Sequence, residues 1–173
     1  MKNRGFTLIE LLVVIAVIGI LASVVMASLN SARVKARTAR RNSDIKQLVN
    51  AFNLGLDTTG SLPNPGTSAW YCVSATCYDG WGPSTISANA TVDAFIAPYL
   101  PTKPSDPVGG SRGWGGYLYF YNYPPLTMVD GSVVSGSLLN WVQELPNTPG
   151  ICGPGKVYVV SATYVQCILV IGQ

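Results

Sequence analysis

Between Leu11 and Ala32 no side chain is charged, and the run LLVVIAVIGILASVVMASL, nineteen residues from Leu11 to Leu29, is apolar on every face a helix would present. At 1.5 Å per residue it makes a helix of about 28 Å, close to the roughly 30 Å hydrocarbon thickness of a bilayer. A surface helix of a soluble domain keeps one polar face, so this segment is expected to insert into a membrane. The helical pattern continues beyond it. The first proline is Pro63, and Ile45, Leu48, Val49, Phe52 and Leu56 follow i, i+3, i+4, i+7, i+11 spacing, one apolar stripe along one side. A single helix is predicted over residues 6–56, with Gly55 and the turn Asp57–Gly60 ending it. Arg40 and Asp44, four apart, are expected to pair weakly on its surface.

The pattern then changes to short strand-like runs between Gly, Pro, Ser and Thr loops. Val92–Leu100 reads as a short helix or turn. Gly116–Tyr123 and Leu138–Leu145 read as strands. Lys156–Ser161 and Thr163–Ile171 read as a tight hairpin or one bent strand. One helix followed by several strands predicts an α+β fold, with a small antiparallel sheet packed on the apolar stripe of the helix.

Charge divides the chain in the same place. Residues 1–46 hold eight Lys/Arg and two Asp/Glu, while residues 47–173 hold three and six. The formal charge of +3 is a basic helix set against an acidic body, so the total is no basis for inferring a nucleic-acid partner and leaves that question open. The basic stretch after the apolar run reads either as a solvated face or as a contact with acidic neighbours or lipid headgroups. The chain has no histidine, which excludes a Ser-His-Asp triad, a Cys-His dyad and a histidine metal site. No catalytic constellation is present, and no enzyme is expected.

The apolar run has three readings. It can be a cleaved secretory signal, a plain signal anchor, or a segment with a purpose for Glu10, the only charged side chain between Arg4 and Arg33. MKNRG, then Phe6, Thr7 and Glu10, then the apolar run closely resembles the N-terminus of type IV pilins and the related pseudopilins. The resemblance implies a leader of residues 1–5, cut after Gly5 by a prepilin peptidase. It implies methylation of the new N-terminal Phe6, and Glu10 as the assembly residue. A carboxylate at the edge of hydrocarbon needs a partner, and a neighbouring subunit's α-ammonium is one. By the same resemblance, residues 6–56 are the long helix, with residues 11–29 as membrane span and then filament core, and residues 57–173 form the globular head. The expected partners are further copies of the chain in a helical filament, the inner-membrane assembly platform and its ATPases, and the membrane before assembly. The expected location is the cytoplasmic membrane and then the cell surface. The six basic residues of the stretch 32–46 favour the cytoplasmic side, whereas the resemblance places that flank outside. The main alternative is a pseudopilin of a secretion or competence machine, with a membrane-anchored binding module as a third class.

A second stretch, Ala97–Tyr121, is similar to the P-x-D-P…Y-x-Y segment of type II secretion major pseudopilins and simple pilins, at Tyr99, Pro104, Asp106, Pro107, Tyr117 and Tyr119. Pseudopilin likeness raises calcium, but after Tyr123 the chain offers only Asp130 and Glu144, too few carboxylates for a calcium loop. No metal and no cofactor is expected. The four cysteines, Cys72, Cys77, Cys152 and Cys167, all follow the apolar segment and are expected as disulfides of an oxidising compartment. Three pairings are possible, and sequence closeness favours Cys72–Cys77 with Cys152–Cys167. Gly150–Lys156 matches the spacing of a phosphate loop but runs into Val157 and a strand pattern, so it is read as a turn. Asn89-Ala90-Thr91 is a glycosylation sequon. Most of Trp70, Trp81, Trp114 and Trp141 are expected in the core.

Overall fold

The computed structural model describes residues 6–79, 86–108, 114–146 and 148–172. Helix α1 (Leu8–Thr59) is followed by β1 (Tyr71–Cys72), β2 (Tyr78–Asp79), α2 (Ala90–Ile96), β3 (Trp114–Gly115), β4 (Tyr117–Thr127), β5 (Val133–Glu144), β6 (Lys156–Val160) and β7 (Tyr164–Ile171). The strands form a five-stranded antiparallel sheet in the order β1-β4-β5-β7-β6 and a two-stranded sheet of β2 and β3. The α+β architecture is the one the hydrophobic pattern predicts. The chain divides into two compact units, Met1–Ala36 and Arg37–Gln173, and α1 contributes to both.

Within the second unit the stripe on α1 meets the sheet. Ile45, Leu48, Ala51 and Phe52 are buried against Tyr117, Tyr119, Leu139 and Trp141. Phe52 stacks on the Tyr119 ring at 4.9 Å between centroids. The opposite sheet face is covered too. Met128 packs on Leu138 and Ile168, and Trp70 meets Phe120 edge-on at 5.1 Å. From Ser137 to Trp141 strand β5 is therefore buried on both faces, which explains why LLNW carries no polar alternation apart from Asn140.

Helix α1 does not end at Gly55. The Phe95 ring of α2 lies where a side chain at residue 55 would be; an added Cβ would stand 2.4 Å from Phe95 Cε1. Gly55 is a packing residue on the buried face. The helix ends at Thr59, where Gly60 takes φ +77° and donates its N–H to the Leu56 carbonyl at 2.8 Å, a left-handed cap that glycine adopts without strain. The strand Gly116–Tyr123 lengthens to Thr127, and the strand from Leu138 begins at Val133. The last two runs are the antiparallel pair β6–β7. Cys72 is bonded to Cys77 and Cys152 to Cys167, the second fastening the loop before β6 onto β7 inside the core. Asn89 of the sequon caps α2, its side-chain oxygen accepting from the Thr91 and Val92 amides at 2.9 and 3.3 Å. Trp141 is fully buried and Trp70 partly so. Trp81 and the Trp114 side chain lie outside the described atoms.

Gly155 tests this packing. A Cβ there would stand 2.5 Å from Trp141 Cη2 and 2.7 Å from the Ile168 carbonyl oxygen. Gly155→Ala should lower stability by about 1–3 kcal/mol, the usual range for overpacking a filled core. Urea denaturation of the full chain in micelles measures this, and an unchanged midpoint contradicts the placement of Trp141.

Candidate functional site

At the start of α1 the sequence Thr7-Leu8-Ile9-Glu10 folds into a reciprocal cap. The Thr7 amide and hydroxyl both donate to Glu10 Oε2, at 2.8 and 2.7 Å. The Glu10 amide donates back to Thr7 Oγ1 at 3.3 Å. This is a capping box: orphan amides of the first turn are satisfied by two side chains three residues apart, and the carboxylate sits at the positive end of the helix. The T-x-x-E spacing before an apolar run is its sequence signal, and the reading of Glu10 as an assembly residue alone passed over it. Phe6 is 76% exposed beside it. Gly5, the other half of the expected cleavage site, lies outside the described residues.

From Phe6 to Leu29 every large apolar side chain is at least 46% exposed. Among the described residues, α1 is the one helix long and apolar enough to cross a membrane. The helix is continuous through Gly19.

In the basic stretch that follows, Arg33, Lys35, Arg40 and Lys46 are exposed, as a solvated face would be, while two of its arginines are used differently from either expected reading. Arg37 and Arg41 are four apart and lie on the same side of α1 as Ile45, Leu48 and Phe52. They turn inward to the chain's own acids. Arg37 donates from Nε and Nη2 to the two Glu144 oxygens at 2.6 and 2.7 Å. Arg41 donates from Nε and Nη2 to both Asp106 oxygens at 2.8 and 2.9 Å, and from Nη1 to Glu144 at 3.2 Å. Arg41, Asp106 and Glu144 are buried. Asp44 is not paired with Arg40; it is buried and accepts a hydrogen bond from the Tyr117 hydroxyl at 2.7 Å. The Tyr119 hydroxyl donates to the Pro63 carbonyl at 2.9 Å. Asp106 also accepts from the Val108 amide at 2.9 Å, holding its own loop. Thus Asp106, Tyr117 and Tyr119 anchor the loop and β4 to α1.

The electrostatics follow from burial and pairing. The Arg37 hydrogen bond holds the Glu144 carboxyl below its ordinary value against the opposing effect of burial, and Arg41 adds to the lowering. Burial by itself would depress the Arg41 guanidinium; Asp106 and Glu144 outweigh it and raise it. Burial, then Asp44, pushes the Tyr117 phenol well up. Burial also takes Tyr119 up to about 12. The two acids considered for calcium are both engaged by cations. Glu144 meets the arginines, and Asp130 meets Lys156 at 3.3 Å and the Ser132 hydroxyl at 2.5 Å. Among the described residues no group of three or more His, Cys, Asp or Glu is arranged to hold a metal ion.

The apolar half-helix, its capped start and its Glu10 meet a specific comparison. The family model for the prokaryotic N-terminal methylation motif matches residues 1–26. The chain carries this methylation motif. The motif sits where the sequence pattern marks Gly5, Phe6 and Glu10. The chain is similar to the type II secretion system core protein G of Escherichia coli (strain K12), 47% identical over 53 residues, 31% of this chain and 37% of that protein. It is also similar to the type IV major pilin protein PilA of Myxococcus xanthus (strain DK1622), 31% identical over 88 residues, 45% of this chain and 40% of that one. The chain thus spans about two fifths of the length of these relatives. No solved structure matches it.

The arginine cluster makes a pH prediction. A carboxyl whose folded pKa is lowered adds stability that is present above its unfolded value, near 4.5 for Glu144, and is lost as pH falls through the lower folded value. Stability should therefore fall as the pH drops below about 4.5. Glu144→Gln should cost about 1.5–3 kcal/mol at neutral pH, because it removes the charged partner of Arg37 and one of the two of Arg41, which keeps Asp106, and should flatten the acid limb. A cost below about 1 kcal/mol, the range of an exposed pair, contradicts the burial of this cluster. Chemical denaturation across that pH range measures both quantities.

Proposed function

We propose that the chain is a pilin-like structural subunit that polymerises into a type IV pilus or a pilus-like filament. The carrying observation is the conjunction of the methylation motif with a half-helix whose apolar side chains have no cover in the single chain. The precursor inserts through residues 11–29. A prepilin peptidase cuts between Gly5 and Phe6, and the new amino group of Phe6 is methylated. An assembly platform driven by its ATPases then moves the subunit from lipid into the filament. There the apolar half-helices of neighbouring copies replace lipid as cover, and the heads form the surface. Glu10 is the assembly residue in this reading. Its carboxylate is bonded within the single chain only to its neighbour Thr7, so it can turn to the α-ammonium of another copy's Phe6 at a small cost. The disulfides suit a head that lies outside the cytoplasm.

A second reading is favoured by the likeness to a type II secretion core protein: a pseudopilin, building a short filament inside a secretion machine. Long surface fibres composed of this chain support the pilus, and short periplasmic assemblies support the pseudopilus.

Mass spectrometry of the mature protein tests the processing, with a chain starting at N-methylated Phe6 expected. A start near Ser28 to Ala32, the product of ordinary signal cleavage, contradicts it. Glu10→Ala should abolish filaments while leaving the protein membrane-inserted and its head folded, as judged by intact disulfides and an unchanged denaturation midpoint. Normal filaments from that variant contradict the role given to Glu10.

A further inference from the structure

Strand β4 carries a feature that the filament reading leaves unused. Phe120 pairs with Leu138 and Tyr123 with Gly136, so β4 holds one more residue than β5 between those two pairs. The bulge is at Tyr121–Asn122, and Asn122 takes φ 51°, the one non-glycine in the left-handed region among the described residues. Bulges re-aim side chains, and a left-handed residue other than glycine is held only where its surroundings demand it. Here the bulge faces a hollow of about 420 Å³ between the end of α1, the start of β5 and the end of β7. A second hollow of about 210 Å³, over the turn Asn64–Ser68, shares Tyr121 and Asn122 with the first. The larger is within the size range of small-ligand sites. Both lie in the unit Arg37–Gln173.

The lining is selective. Among the described residues no Lys, Arg, Asp or Glu borders either hollow. The half-buried Tyr121 ring, with Leu56 and Leu62, supplies apolar surface. Asn122, Ser61, Asn64 and Ser68 supply neutral amide and hydroxyl groups. Gly60 and Gly136, both with positive φ, leave backbone uncovered at the wall. An anion finds no cation here and meets the negative end of α1. A cation finds no carboxylate, and a purely apolar ligand would strip water from amides without replacing its hydrogen bonds. A pyranose presents apolar C–H faces edged by hydroxyls that both donate and accept, which matches an aromatic surface edged by neutral amides and hydroxyls. Two adjoining hollows meeting at one aromatic residue suit consecutive rings.

We propose that the Tyr121–Asn122 bulge forms a binding groove for a neutral oligosaccharide. The groove is independent of filament assembly. The test uses the full chain in a detergent without a sugar headgroup and saturation-transfer NMR with maltotriose, cellotriose, chitotriose and, as an anionic counterpart, trigalacturonate. At least one neutral trisaccharide should bind with a dissociation constant of about 1 mM or tighter, and trigalacturonate at least about tenfold more weakly. Asn122→Gly keeps the left-handed backbone at no strain and deletes only the amide. Ser61→Trp, at an exposed position, fills the larger hollow. Each should weaken binding about tenfold or more with the denaturation midpoint maintained or raised. Absence of binding by all three neutral sugars, equal binding of trigalacturonate, or unchanged binding by both folded variants overturns the proposal. If Asn122→Gly unfolds the head, Ser61→Trp alone decides in the same way.

Discussion

Sixteen large apolar side chains between Phe6 and Leu29 have no protein over them in the single chain. Each is worth about 1.5–3 kcal/mol when taken out of water, so together they represent tens of kcal/mol against the roughly 5–15 kcal/mol that stabilises a whole domain. This half of α1 has to be covered, in the proposed filament first by lipid and then by other copies. The rest of the molecule is consistent with a subunit that exchanges one cover for the other. The Thr7–Glu10 cap closes the helix start without outside help. The absence of proline before Pro63 lets the apolar half continue into the half that carries the sheet.

The second half of α1 meets the opposite demand, since its stripe must hold the sheet. Apolar burial of Ile45, Leu48 and Phe52 supplies the attraction but tolerates sliding. The arginines add position. Arg37 grips Glu144 and Arg41 grips Asp106 through paired hydrogen bonds, a geometry that a planar guanidinium can match and a lysine cannot. Because Asp106 belongs to the loop ahead of β3 and Glu144 to the end of β5, the two pairs tie separate parts of the head to adjacent turns of one helix. Buried ion pairs of this kind add little net stability over apolar replacements, so their value here is in setting the register of helix against sheet.

Much of this was legible in the sequence because it rests on local periodicity. The apolar run, the stripe from Ile45 to Leu56, the strands around Tyr119 and Trp141, and the Gly5–Phe6…Glu10 pattern are all short-range signals. What escaped depends on distant partners. Arg37 and Arg41 look locally like part of a basic band, although their spacing sets them in line with Ile45 and Leu48; a charge on a buried stripe calls for carboxylates, but nothing local says they are Asp106 and Glu144. Gly55 looks like a helix stop until Phe95, forty residues on, takes the space above it. The bulge at Asn122 is invisible to alternation, because an extra residue in a strand shows only against its partner.

In the proposed filament the apolar half-helix is covered by other copies of the chain. A photo-crosslinking residue placed at Ile18, a position 58% exposed in the single chain, tests it in cells. A ladder of chain-to-chain products is expected in the sheared extracellular filament fraction, with lipid adducts in the membrane fraction. Crosslinks to lipid alone, with no multimers in any fraction, would contradict it.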